Sequence, residues 1–311
     1  MPEGLSPASS RSWPLILLLI GGAAYGTIFS ANKIAIEGGF PFVAFTFYQA
    51  FIAGAVLLVV GLIQGERPGT SGAHLRQYAV TALFGFIVPF IVFSFVADKL
   101  PALVVTLLLA LTPALTYLFA FLLRLERLRW ISIAGVLLGF LGILLIVLPK
   151  GGLPSPDMAG WLLLALLGPL GFAMNNVSVA LLRPAASTSA TLSAGVLIVS
   201  AAVLFVIMMA VEGFVWVGDL GSDAVLGMLW AAAVNGLTFL VLFEIIRMAG
   251  PVFFAQFNYV SVGAGFLWAL VMFNDVPSLW VWIALAVLVV GLFLANAGAT
   301  QSVREREAQS R

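Results

Sequence analysis

Residues 125–149 read LERLRWISIAGVLLGFLGILLIVLP, and residues 274–298 read NDVPSLWVWIALAVLVVGLFLANAG. Each begins with a short charged turn, containing Glu126 or Asp275, and then runs uncharged to its end. Laid over one another at a spacing near 150 residues, they place Gly142 opposite Gly291. The segments just upstream keep this offset: KLPALVVTLLLALTPAL (99–115) lies against AGPVFFAQFNYVSVGAG (249–265), with Pro101 opposite Pro251. Nearer the N-terminus, WPLILLLIGGAAYG (13–26) lies against WLLLALLGPLGFA (161–173). One such match means little, because apolar segments look alike by chance. Their common order and spacing indicate an internal repeat.

The number of spans follows from the charges. Stretches free of Asp, Glu, Lys and Arg run from Ser12 to Asn32, Gly38 to Gly65, Gln77 to Ala97, Leu100 to Leu123 and Ile131 to Pro149. They continue from Met158 to Leu182, Pro184 to Val211, Ala224 to Phe243, Met248 to Asn274 and Val276 to Val303. Each can house a helix of about 20 residues, enough to cross roughly 30 Å of hydrocarbon. The expected fold is an all-α integral membrane protein of ten transmembrane helices, five per repeat. The expected boundaries are a tail over 1–12, a first repeat over 13–149, an outer linker over 150–160, a second repeat over 161–298 and a tail over 299–311. With five spans per repeat, the second repeat must enter from the opposite side. The result is an inverted 5+5 repeat about a pseudo-two-fold axis in the membrane plane, which many secondary transporters use for alternating access. The first span is read as a membrane helix: it exceeds a typical signal-peptide core, and no clear cleavage site follows it.

Composition requires the same solvent. The chain is 62% hydrophobic and 9% charged, whereas soluble domains carry about 25% charged residues. Too little polar surface remains to cover a water-facing globule. A net charge of +1 gives no general attraction to nucleic acid, and none is expected as a partner. With no cysteine and a single histidine, His74, neither a metal site nor a disulfide framework is expected, and no cofactor is implied. Lys and Arg set the orientation. With a cytoplasmic N-terminus, the inner segments hold Arg11, Arg67, Arg76, Arg124, Arg127, Arg129, Arg183, Arg247, Arg304, Arg306 and Arg311, while the outer ones hold Lys33, Lys99 and Lys150. Both termini are therefore expected in the cytoplasm, with the chain multi-pass in a bacterial inner membrane.

Two five-span repeats, each closing with an acidic turn and a glycine-containing last helix, resemble the EamA-type drug/metabolite transporter (DMT) superfamily. The segments 125–149 and 274–298 and the first-span stretch YGTIFSANKIAI (25–36) carry that resemblance, which covers about residues 13–298. Within it the chain is most similar to the YddG-type bacterial amino-acid exporters. The resemblance implies a carrier of small metabolites. Two departures stand out: Gln49 lies where the family often has an arginine, and Asp275 where it usually has a glutamate. The missing cation argues against a strongly anionic substrate.

Polar groups in hydrocarbon cost several kcal/mol unless partnered, so they should face helices, a cavity or the interface. Lys33 and Glu37 read as an interfacial pair one turn apart, the alternative being a cation in the outer mouth of a pathway. Glu244 with Arg247 reads as a second interfacial pair, the alternative being a proton-coupling carboxylate. Neutral residues are the better cavity candidates: Asn32 in the first span, Tyr48 and Gln49 in the second, Asn175 and Asn176 in the sixth, Asn235 and Thr238 in the eighth, and Gln256, Asn258 and Tyr259 in the ninth. Helix-to-helix hydrogen bonding competes with that role at each position. Tyr25, Phe29, Phe239 and Phe257 would supply an apolar wall suited to aromatic, aliphatic or flat cationic molecules. Hinge candidates are Gly21, Gly22 and Gly26 in the first span, Pro89 in the third, Pro113 in the fourth, Pro169 and Gly171 in the sixth, and Gly263 and Gly265 in the ninth. By contrast, Gly135 and Gly139 form a GxxxG pair with Gly142 one turn on, suited to close packing against the tenth span.

No GxxxxGK[ST] loop or nucleotide-binding region is present, which disfavours primary active transport. An intramembrane enzyme would need a nucleophile–base pair or metal ligands at depth, and His74 is alone in a loop. The expected function is a secondary transporter, working as a monomer in the lipid bilayer, that exports small amphipathic molecules such as aromatic or apolar amino acids. A drug or metabolite carrier running in either direction is the alternative within the class, and a channel is the alternative outside it.

Overall fold

The structure is a computed structural model describing residues 7–124, 130–147, 158–184, 187–254, 257–273, 277–291 and 294. Among the described residues every regular element is helical. In chain order these are α1 (Trp13–Glu37), α2 (Phe42–Ile63), α3 (Gly72–Phe95), α4 (Ala102–Leu122), α5 (Trp130–Val147), α6 (Met158–Val179), α7 (Ser189–Val211), α8 (Ser222–Ile245), α9 (Phe257–Phe273) and α10 (Leu279–Gly291). Seven of them are long and apolar enough to cross a membrane; α5, α9 and α10 hold shorter apolar stretches. α1 winds on beyond the uncharged window to include Lys33 and Glu37, and α3 begins early enough to include His74 and Arg76. A helix satisfies its own backbone, so winding on is favoured until water is reached.

The winding departs from α geometry at four places. α1 breaks at Thr27, whose hydroxyl donates to the Ala24 carbonyl at 2.6 Å and accepts from the Trp230 indole at 2.7 Å. α3 contains a π turn over Ala82–Ile87, just before Pro89. There the N–H of Val88 bonds the carbonyl of Leu83, five residues back. α4 contains a 3-10 turn over Leu109–Leu111, just before Pro113. Proline has no N–H to give the carbonyl four residues back, and the carbonyl of Leu109 takes the N–H of Thr112 instead. α6 is interrupted at Leu166, three residues before Pro169.

The helical winding of α8 continues to Phe254. Yet a Cβ placed on Gly21 would lie 3.0 Å from Val241 and 3.2 Å from Phe257. A straight helix would hold those two residues about 24 Å apart. The chain therefore bends between them, and α1 packs against both α8 and α9.

Helix pairs meet through glycine. A Cβ on Gly26 would lie 2.5 Å from the amide nitrogen of Gly265, so α1 and α9 touch backbone to backbone. A Cβ on Gly171 would lie 2.9 Å from both the Phe84 carbonyl oxygen and the Pro89 ring, seating α6 on the irregular part of α3. α5 packs on α10 as the glycine pattern predicts: a Cβ on Gly291 would come within 2.9 Å of the Gly135 carbonyl and the Gly139 amide, and one on Gly142 within 2.6 Å of Leu288. The hinge candidates Gly21, Gly22, Gly26, Gly171 and Gly265 thus all have a packing reason, whereas Gly263 faces open space. The most extensive contact joins α2 to α7, and α1 packs on α9 as α6 packs on α4.

At the rim holding the α1–α2 and α7–α8 connections, Glu212 spans the two halves of the chain. Its carboxylate accepts from the backbone N–H groups of Val43 at 3.0 Å and Ala44 at 2.8 Å. These are orphan donors of the first turn of α2, and an anion there also meets the positive end of the helix dipole. Lys33 pairs with Glu37 at 2.7 Å on the same rim, matching the interfacial reading. At the opposite rim Thr188 donates to Glu66 at 2.7 Å, His74 Nε2 lies 3.0 Å from the Ser187 hydroxyl, and Arg247 pairs with Glu244. Glu126 and Asp275, read as loop anchors, lie outside the described residues. Glu212→Ala should destabilise the fold by about 1–2 kcal/mol, the worth of a charged helix cap. The measurement is the thermal midpoint in detergent, with Glu212→Gln falling between; an unchanged midpoint for alanine would refute the capping role.

Candidate functional site

The π turn of α3 and the 3-10 turn of α4 border a cavity. It is lined by Tyr25 of α1, Gly85 and Phe90 of α3, Leu109 and Thr112 of α4, and Phe172, Asn175 and Asn176 of α6. Asn235, Thr238, Phe239 and Leu242 of α8, Phe254 after it, and Phe257 and Asn258 of α9 complete the wall. Its empty space is about 560 Å³, part of it open to solvent. No Asp, Glu, Lys, Arg or His is among these residues. Rings dominate the wall and continue beyond it: Phe86 stacks on Phe90 at 4.6 Å, and Phe172 meets both Phe90 at 5.9 Å and Phe93 at 6.0 Å.

Hydrogen bonding around the cavity is uneven. Most membrane-depth hydroxyls donate to the carbonyl four residues back: Thr106 to Ala102, Thr116 to Thr112, Ser178 to Met174 and Thr238 to Val234. Thr112 does not, and its hydroxyl is buried with no partner. It sits where the 3-10 turn has displaced the usual register. Asn235 donates its amide N–H to Gln49 Oε1 at 2.7 Å, while Gln49 Nε2 faces the Phe45 carbonyl at 3.4 Å. That carbonyl can only accept, so it fixes the orientation of Gln49, and Gln49 in turn fixes that of Asn235. The carbonyl oxygen of Asn235 is left buried and unpartnered, as is that of Asn175, which packs over Gly85. Asn176 donates to Thr116 at 3.2 Å. A buried polar atom without a partner costs roughly 1–3 kcal/mol.

Of the residues read as cavity candidates, Tyr25, Asn175, Asn176, Asn235, Thr238, Phe239, Phe257 and Asn258 meet at this cavity. Gln49 stands behind Asn235. Phe29 is one ring removed, meeting Tyr25 at 6.1 Å and Phe93 at 5.1 Å. Asn32, one turn further along, is buried with neither amide atom partnered, but it does not line the cavity. Tyr48 belongs to the rim, where its hydroxyl donates to the Val215 carbonyl at 2.7 Å. Tyr259 neighbours Asn258 without lining the space, and Gln256 lies outside the described residues. Thr112, Gly85, Phe90 and Phe172 were not read from the sequence. The Thr–Pro pair at 112–113 was the one available signal for them.

The fold and cavity define a multi-pass, all-helical membrane protein. Residues 12–148 match the EamA-like transporter family. No curated protein matches the chain. A solved crystal structure, described only as that of a protein, is similar over 92% of this chain and 98% of its own, with a TM-score of 0.65 and 21% identity. That likeness is one of fold alone, and it spans both halves of the chain.

Thr112→Val keeps the volume of the side chain and removes an unpartnered hydroxyl. It should leave the thermal midpoint equal or higher, by an amount bounded by the roughly 1–3 kcal/mol cost of that group, while transport falls. A variant that lost stability and activity together would instead make the hydroxyl structural.

Proposed function

We propose that the chain is a secondary transporter of the DMT superfamily, of the YddG type, that exports small amphipathic molecules by alternating access. Its substrates are amino acids with aromatic or apolar side chains, and it works as a monomer in a bacterial inner membrane. The observation that carries this reading is the charge-free cavity, where amides and rings from α1, α3, α6, α8 and α9 converge with Thr112 of α4. Neutral polar groups beside ring faces suit a solute with a polar head and an apolar body. The paired packing supports ten spans as an inverted 5+5 repeat: α1 on α9 mirrors α6 on α4, and α2–α7 and α5–α10 are each self-paired. The bias of Lys and Arg supports both termini in the cytoplasm. The four departures from α geometry, beside the hinge candidates Gly26, Pro89, Pro113 and Pro169, are the positions where such helices would bend between states.

Purified protein in liposomes tests this. Labelled aromatic and apolar amino acids should enter faster than into empty vesicles, with saturation; if none does, the substrate class is wrong. Single-channel currents would replace a carrier with a channel. With no carboxylate among the described cavity residues, an imposed pH gradient should leave the final internal concentration of a zwitterion equal to the external one. Accumulation against the gradient would place a proton-coupling group elsewhere in the chain.

A further inference from the structure

We infer that this cavity recognises its ligand by hydrogen-bond donors on a protonated amine, so that the amino group is obligatory and the carboxylate is dispensable. The inference deepens the transport reading above and rests on its site. The first ground is an asymmetry among the amides. Asn235 gives one amide N–H to Gln49, and Asn176 gives one to Thr116, inside the protein. The oxygens of Asn235 and Asn175, and the hydroxyl of Thr112, have no partner. Both amide oxygens can only accept and the hydroxyl can accept as well, and an ammonium group brings three donors and no acceptor.

The second ground is charge. A carboxylate entering low dielectric needs a cation or several aligned N–H groups, and no cation is among the described lining residues. Among the rim cations, Lys33 pairs with Glu37, Arg247 pairs with Glu244, and Arg183 donates to the Phe243 carbonyl. An ammonium has alternatives to a counter-ion. Six rings line the same space, and their faces attract a cation while amide oxygens take its protons.

The third ground is that the acceptor is held in place. The Phe45 carbonyl orients Gln49, and Gln49 holds the N–H face of Asn235. Gln49 is thus a positioning residue for the amine. It does not line the cavity, and it is fully buried behind it.

Equilibrium binding to the purified protein in detergent tests this with three ligands of one shape: L-phenylalanine, phenethylamine, which lacks the carboxylate, and 3-phenylpropionate, which lacks the amine. Phenethylamine should bind at least as tightly as phenylalanine and displace it in liposome exchange, with 3-phenylpropionate weaker by about tenfold or more. Equal binding of the amine and the acid, or binding of neither, overturns the inference. If phenethylamine binds and phenylalanine neither binds nor moves, the amino-acid assignment falls and amine recognition stands. Gln49→Leu should weaken phenethylamine by about tenfold while leaving the weak binding of 3-phenylpropionate unchanged. Should that variant fail to fold, Thr112→Val must show the same selective loss; a parallel loss for both ligands overturns the assignment.

Discussion

Hydrocarbon offers no hydrogen bonds, and the rest of this structure depends on that. Every backbone N–H and C=O at membrane depth must find its partner within the chain. Helices meet the requirement along most of the length. Where a proline removes a donor they do so by changing pitch: a π turn before Pro89 and a 3-10 turn before Pro113. Side-chain hydroxyls obey the same demand, and Thr106, Ser193, Ser200 and Ser261 turn back onto their own helices. Against so much internal pairing, the unpartnered oxygens of Thr112, Asn175 and Asn235 are informative, because they meet at a single wall.

The same solvent explains how the helices associate. Lipid tails are as apolar as leucine, so burial gives little drive, and close van der Waals approach must hold the helices together. Glycine permits the approach. At Gly26 and Gly265 two backbones touch, and α5 and α10 do so through Gly135, Gly139 and Gly291. Several of these glycines read in the sequence as weak points of a helix. In the structure they are contact points, and a helix that crosses a neighbour at van der Waals distance can also pivot there.

Function at this site follows from local irregularity set in regular helices. Pro113 displaces the register of α4 and leaves the Thr112 hydroxyl without its usual carbonyl. The relay from Phe45 through Gln49 leaves Asn235 presenting an oxygen. Both devices trade stability for an unfilled hydrogen-bonding position, the usual cost of a site that must bind something.

The sequence by itself determined the solvent, the approximate position of the seven long spans, the pairing of α5 with α10 and about half of the residues lining one cavity. Hydrophobicity and charge spacing report the surrounding medium directly, and polar residues within an apolar run are too costly to be accidental. Their roles were decided only by the tertiary structure. Gln49 read as a lining residue and stands behind one; Tyr48 read the same way and fastens a rim. Glu212, unremarked in the sequence because it follows an ordinary span, caps a helix 168 residues away. Hydrogen bonds of this kind depend on which helix faces which, and that is fixed by packing across the whole chain.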